Sequence, residues 1–188
     1  MAAGAPSFTS GQGATVSAVP SLVFLAFPSK NDQRFRGWAS FRESIGSGRP
    51  VGDAAPIASA RPADYGIVEL ASVGIWRLLA SNNRELARSW VAYPSFEAAR
   101  DDVTRLQNSV DRLVVSVVRG DSASQYGWLA TLDGEPVISS GRWFGASSTS
   151  LHSALTTLAD FALASVSPTP VRATDRRARA LSDAASPW

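Results

Sequence analysis

Two stretches of this chain say nearly the same thing. GIWRLLASNNRELARSWVAYPSFEAARDDVTRL (residues 74–106) and YGWLATLDGEPVISSGRWFGASSTSLHSALTTL (126–158) share an aromatic run, a turn, a second run rich in serine and aromatics, and a helical stripe. An offset of 52 carries Trp76 to Trp128. After the turn, an offset of 51 carries Ser89 to Ser140, as one fewer turn residue would require. An internal repeat of this kind limits the architecture. One unit has a sheet face and a helix stripe to bury and is marginal alone, whereas two units can share a sheet and a core.

Local patterns supply the elements. LVFLAF (22–27), RFRGWASF (34–41), GIVELAS (66–72), IWRLLA (75–80) and ELARSWVAY (85–93) read as strands, as do LVVSVVR (113–119), YGWLATL (126–132) and PVISSGRWF (136–144). SNN (81–83) and DG (133–134) have hairpin-turn chemistry. Residues 43–56, with three glycines and two prolines, read as a loop. Ser95 is placed to cap a helix whose apolar stripe is Phe96, Ala99, Val103, Leu106 and Val110. Ser147 or Ser148 is placed to cap a second. The 52-residue offset gives that helix the stripe Leu151, Leu155, Leu158 and Ala162.

The expected fold is therefore α+β: two βββα repeats forming a shared antiparallel sheet, with helices packed on one face. The chain divides into a flexible N-terminal arm (1–20), a β-hairpin region with a Gly/Pro-rich loop and a faint third copy of the repeat (21–63), repeat 1 (64–112), repeat 2 (113–165) and a flexible basic C-terminal tail (166–188). Net charges of +3 over 1–62, −3 over 63–165 and +2 over 166–188 place a slightly acidic body between basic ends.

IWRLLASNN with ELARSWVAYPSFEAARDDV, and more loosely YGWLATLDG with VISSGRWFGASSTSLHSAL, resemble the YegP-like family of small proteins of uncharacterised function. That family's pattern is an aromatic strand ending in Ala-Ser-Asn-Gly, an apolar–Ser–aromatic strand, then a helix. Asn83 stands where the family has glycine, and the helices lack its usual Gly-Ile pair. The resemblance covers roughly 64–165. It implies an antiparallel sheet with helices on one face about a pseudo-twofold axis, and it brings no site residue with it.

Chemistry is sparse. With no cysteine there are no disulfides, thiolate ligands or cysteine nucleophile. His152 is the lone histidine, near Ser147, Ser148, Ser150 and Asp160, but no nucleophile-elbow motif accompanies it. The best carboxylate pair, Asp101–Asp102, is adjacent on a helix, so the two diverge. GSGRPVG (46–52) lacks the following helix of a dinucleotide fingerprint, and Pro50 removes an N–H. No catalytic, cofactor or metal residue is assigned, and no cofactor is expected.

The function expected is a non-catalytic interaction or scaffold module with an unidentified protein partner or self-association. The alternative is nucleic-acid binding through Arg172, Arg176, Arg177 and Arg179 and a platform of Trp38, Trp76, Trp90, Trp128 and Trp143. Repeated tryptophans more often fill a shared core. A hydrolase-type enzyme ranks third. Arg176, Arg177, Arg179 and terminal Trp188 are the candidate docking residues, since tryptophan and arginine dominate interface hot spots. The start of the chain lacks a charged, signal-like segment, no run is long enough to span a membrane, and a cytoplasmic location is the default expectation.

Overall fold

The computed structural model describes residues 19–52 and 73–172. Along the chain lie β1 (Ser21–Phe27), α1 (Gln33–Gly46), β2 (Arg49–Pro50), β3 (Val73–Leu79), β4 (Glu85–Ser89) and α2 (Phe96–Gln107). After a 3-10 turn at Val110–Arg112 come β5 (Val114–Arg119), β6 (Tyr126–Leu132), β7 (Glu135–Ser140), α3 (Ser147–Leu163), β8 (Ser165–Val166) and β9 (Val171–Arg172). The strands form one sheet in the order β2-β5-β6-β7-β4-β3-β1-β8, with β9 also paired to β1. All pairings are antiparallel except those of β8 and β9 with β1.

Both hairpins turn through the left-handed region. Asn83 has φ 62°, and Asp133 and Gly134 have φ 54° and 86°. These are residues that tolerate that conformation with little penalty. Each hairpin also slips register just before its turn, at Leu78/Leu79 and at Ala130/Thr131. The Trp76 N–H donates to Ser89 Oγ at 3.3 Å, and the Trp128 N–H donates to Ser140 Oγ at 3.3 Å. Gly74 bridges Tyr93, and Tyr126 bridges Phe144. At the sheet's centre β4 meets β7 in the register Ala87↔Ser140, Arg88↔Ser139, Ser89↔Ile138. A 51-residue offset maps that register onto itself, with Arg88 and Ser139 as its midpoint.

Alternation along the strands separates the faces. Leu22, Phe24, Trp76, Leu78, Trp128 and Ala130 join one cluster with Ala99, Val103 and Leu106 of α2 and with Ala154, Leu158 and Phe161 of α3. Leu25, Phe27, Val73 and Ile75 point the other way, onto Phe35 and Trp38 of α1. Ser95 caps α2 as its position suggested, accepting the Ala98 N–H at 3.1 Å. Glu97, in the first turn, has its carboxyl pKa lowered by its own backbone N–H and by Ser95. Helix α3 starts at Ser147, but its N-cap is Ala146 and no side chain caps it. Neither Ser147 nor Ser148 takes that role.

Three expectations need correction. RFRGWASF is part of helix α1 and not a strand, so LVFLAF and RFRGWASF form no hairpin; β1 pairs with β3 instead. Asp32 starts the helix, its carboxylate accepting the Arg34 N–H at 2.9 Å. Over eight residues the alternation of Phe35, Gly37, Ala39 and Phe41 imitated a strand, while the buried residues Phe35, Trp38 and Ile45 follow helical spacing. The 43–56 loop is shorter than expected. Residues 43–46 finish α1, and Arg49–Pro50 pair with Arg119 and Val118 of β5. Gly48 allows this approach, since a Cβ there would lie 3.0 Å from Ile45 O and from Val118 Cβ. The 166–188 tail begins inside the sheet, because β8 and β9 dock on β1. GIVELAS (66–72), the arm to residue 18 and residues 173–188 lie outside the described residues.

Candidate functional site

Helix α3 faces the sheet with a different stripe from the one its leucines suggested. The buried residues are Ser150, Ala154, Thr157, Leu158 and Phe161. Leu151 and Leu155 point to solvent, 44% and 58% exposed, and Leu163 is 77% exposed. The 51-residue offset therefore runs on through the helix. It pairs Ala99 with Ser150, Val103 with Ala154 and Leu106 with Thr157, and the buried sets of α2 and α3 agree at all three. On the outer surface, the same offset sets Leu151 against Arg100 and Leu155 against Thr104. Helix α2 presents Glu97, Arg100, Asp101, Thr104 and Arg105 to water. The exposed residues of α3 are Ser148, Thr149, Leu151, His152, Leu155, Thr156, Ala159, Ala162 and Leu163, with no Asp, Glu, Lys or Arg among them.

A charged cluster lies on the opposite face of the sheet. Arg77 Nε and a terminal nitrogen donate to Glu85 Oε2. Arg88 Nε donates to Glu85 Oε1 at 2.5 Å, and its terminal nitrogen reaches Gly141 O at 3.0 Å. Arg77 and Glu85 are only 6% and 5% exposed. Burial, and then the charge of Arg88, push the Arg77 pKa down to about 9. Burial pushes Arg88 down to about 10. Above this cluster, Arg88 lies 4.8 Å from the Phe41 ring, and Arg42 sits between Trp38 and Trp90 at 5.6 and 5.1 Å. Trp38 Nε1 donates to Ser89 O at 3.1 Å. These contacts fasten α1 to the sheet.

The sequence-level candidates are dispersed. His152 is exposed, and Ser150 is wholly buried with an unpartnered hydroxyl, so the two do not form a nucleophile–base pair. Asp160 lies eight residues along α3, roughly 12 Å away. Asp102 accepts from Tyr93 at 2.6 Å and from Arg105, while Asp101 faces outward. Among the described residues no group of three His, Cys, Asp or Glu is placed to hold a metal. Trp76 and Trp128 are fully buried, Trp38 and Trp90 nearly so, and Trp143 half-buried. Trp38, Trp76, Trp90 and Trp128 are core and give no stacking platform for bases. Arg172 belongs to β9. Arg176, Arg177, Arg179 and Trp188 lie outside the described residues.

One pair of buried polar atoms shows how the halves differ. Trp76 Nε1 donates to Tyr93 Oη at 3.2 Å, and that hydroxyl donates to Asp102. At the matching place Trp128 Nε1 has no partner, because Phe144 occupies the position of Tyr93. An unpartnered buried donor costs roughly 1–3 kcal/mol. Phe144→Tyr should therefore raise the unfolding free energy, by about 1 kcal/mol, in a urea titration. A loss of stability would show that the second half has no room for the hydroxyl.

Among the described residues no helix is long and apolar enough to cross a membrane. Comparison with known proteins found no matching family model, no matching curated protein and no matching solved structure.

Proposed function

We propose that this protein is a non-catalytic interaction module that self-associates through the outer face of α3. The observation that carries the reading is the leucine-bearing outer surface of that helix, whose single acid, Asp160, is half-buried, beside the charged surface of α2. Leu151 and Leu155 are one turn apart, so they form one patch and not two isolated exposures. Covering them removes apolar area from water. A strip around Leu151 and Leu155 without exposed Asp, Glu, Lys or Arg gives a charged partner little to steer by, whereas a second copy presents the same apolar strip. A twofold contact is self-complementary in this way.

The double variant Leu151→Glu, Leu155→Glu should melt within about 1 kcal/mol of wild type, as exposed positions do. In sedimentation equilibrium, wild type should dimerise at micromolar concentration and the variant should remain monomeric. A wild-type monomer across that range would end the self-association reading.

Two further proposals accompany it. The chain arose by duplication of a strand–strand–strand–helix unit. In repeat 1 that unit takes its first strand from β1, and the matched hydrogen bonds of Ser89 and Ser140 support the idea. Relation to the YegP-like proteins rests on the same pattern. The docking role of Arg176, Arg177, Arg179 and Trp188 is best tested by a chain ending at Arg172, since a cut before Val171 would remove β9.

A further inference from the structure

Positive charge gathers at one end of β5 and β6. Arg119 stands opposite Tyr126 in the β5–β6 pairing, and Arg49 of β2 stands opposite Arg119 on its other side. Tyr126 in turn bridges Phe144, and the Arg142 guanidinium lies 4.9 Å from the centre of the Phe144 ring. Residues directly opposite in antiparallel strands share a face. Tyr126, Phe144 and Val115 pack into the cluster under α3, so Arg119 and Arg49 lie on the α3 side as well. Their Cα atoms are about 5 Å apart. Both are exposed, and among the described residues neither side chain has a hydrogen-bond or ion-pair partner. Like charges so placed destabilise a sheet. The acid closest in sequence to Arg119, Asp121, is exposed in the loop after β5.

Helix α3 begins over this row. Ala26, Gly74, Ser95 and Ala99 line one hollow at the start of α2. Arg119, Tyr126, Ala146 and Ser150 take the same places at the start of α3. Arg119 pairs with Tyr126 as Ala26 pairs with Gly74, and the offset of 51 supplies the other two. What neutralises the start of α2 is missing here, since the cap Ser95 and the acid Glu97 give way to Ala146 and Ser148. The N–H groups of Ser147, Ser148 and Thr149 have no partner among the described residues. They carry the positive end of the helix dipole. Ser150 is fully buried beneath them, and its hydroxyl has no partner. Helix side chains lean toward the N-terminus, so this hydroxyl is aimed at the same place.

We propose that Arg49, Arg119 and the first turn of α3 together bind the phosphate group of a small phosphate monoester. Such a group brings close to two negative charges and three acceptor oxygens. The site offers two guanidinium forks, three backbone N–H groups and the unspent hydroxyl of Ser150, more donors than a carboxylate can accept. Bound phosphate also turns the repulsion between Arg49 and Arg119 into a shared attraction. The proposal does not rest on self-association through the leucines of α3.

The test is isothermal titration calorimetry on the full chain with inorganic phosphate, phenyl phosphate and benzoate. It is run at fixed ionic strength and slightly above neutral pH, where the monoester is a dianion. Both phosphates should bind, and benzoate should bind at least tenfold more weakly. Arg49→Gln and Arg119→Gln should each weaken phenyl phosphate about tenfold, as the loss of one charge-assisted contact predicts. Arg84→Gln, which removes an exposed arginine at the β3–β4 hairpin, should leave it unchanged. Without ligand, Arg49→Gln and Arg119→Gln should melt at or slightly above wild type, since the repulsion is gone, so their weaker binding is not a folding defect. Ser150→Ala should weaken phenyl phosphate severalfold and leave the fold intact. Absence of phosphate binding, equal affinity for benzoate, or unchanged affinity in Arg49→Gln, Arg119→Gln or Ser150→Ala would overturn the proposal. Oligothymidylate without a terminal phosphate should bind more weakly than phenyl phosphate; tighter binding would mark a nucleic-acid surface and overturn the small-ligand assignment. The self-association of α3 is read separately by sedimentation.

Discussion

Glu85→Ala should lower the unfolding free energy by about 3–5 kcal/mol, the usual cost of leaving buried charges without their partner. The variant leaves Arg77 and Arg88 facing one another across β3 and β4, where the carboxylate now bonds to both. Gly141 lies against the same carboxylate, since a Cβ there would come 2.8 Å from Glu85 Cγ. The shortened side chain would therefore also leave a gap. Replacing all three residues together, with Arg77→Met, Glu85→Leu and Arg88→Met, should cost much less than Glu85→Ala alone, because no charge is then stranded. The pH dependence has a definite sign. A base whose pKa falls on folding binds fewer protons folded than unfolded, so it adds stability as pH rises. The cost of two buried guanidinium groups is thus fully present at neutral pH and is relieved only as pH climbs through about 9 and then about 10. On account of this cluster, thermal melts should not fall between pH 7 and pH 9. Wild-type-like melting of Glu85→Ala would show that the triad carries no such weight.

Ala154→Asp should unfold the protein, and Leu155→Asp, one residue along the same helix, should leave its melting nearly unchanged. Ala154 is fully buried against the sheet, so an aspartate there would be forced among apolar side chains without a partner. Leu155 is 58% exposed, and a carboxylate at that place stays in water. The pair distinguishes the two possible faces of α3 directly by circular dichroism melting. If the order of the two effects were reversed, the leucine stripe would face the sheet and the exposed apolar face of α3 would not exist.

That contrast also shows what the amino-acid order could and could not reveal. Strand β6 was legible to the residue, because its apolar run ends in Asp-Gly and the turn admits few other conformations. Strand β5 was legible within one residue and α2 nearly as well, since Ser95, Glu97 and a single apolar stripe agree with one another. Helix α3 carries two stripes about 100° apart. The buried one contains Ser150, Ala154 and Thr157, small or polar residues that look wet, and the exposed one contains leucines that look buried. The offset of 51 at Ser89 and Ser140, carried into the helix, was the signal that selects the correct one. Helix α1 was hidden because eight residues fit both periods. The Arg77–Glu85–Arg88 cluster was hidden because charged residues in strands normally mark a solvated face, and only the crossing of α1 over the sheet covers them. The docking of β8 and β9 on β1 is a return of the chain that no local pattern announces.

Helix α1 crosses from the β1 side of the sheet to the β5 side, where Arg49 and Pro50 join the edge. The route has a cost in the unfolded chain. Strand β1 must find β3 across about 45 residues, whereas β5 reaches β6 across residues 120–125. Closing the longer loop costs about 2 kcal/mol more chain entropy than closing the shorter one. Strands β5 to β7 and α3 thus form a low-contact-order half that can assemble from neighbours. The half containing β1, β3, β4 and α2 pairs its outer strand only once α1 has been carried across. The two halves of the sheet are in this sense unequal in time: one serves as the template on which the other closes.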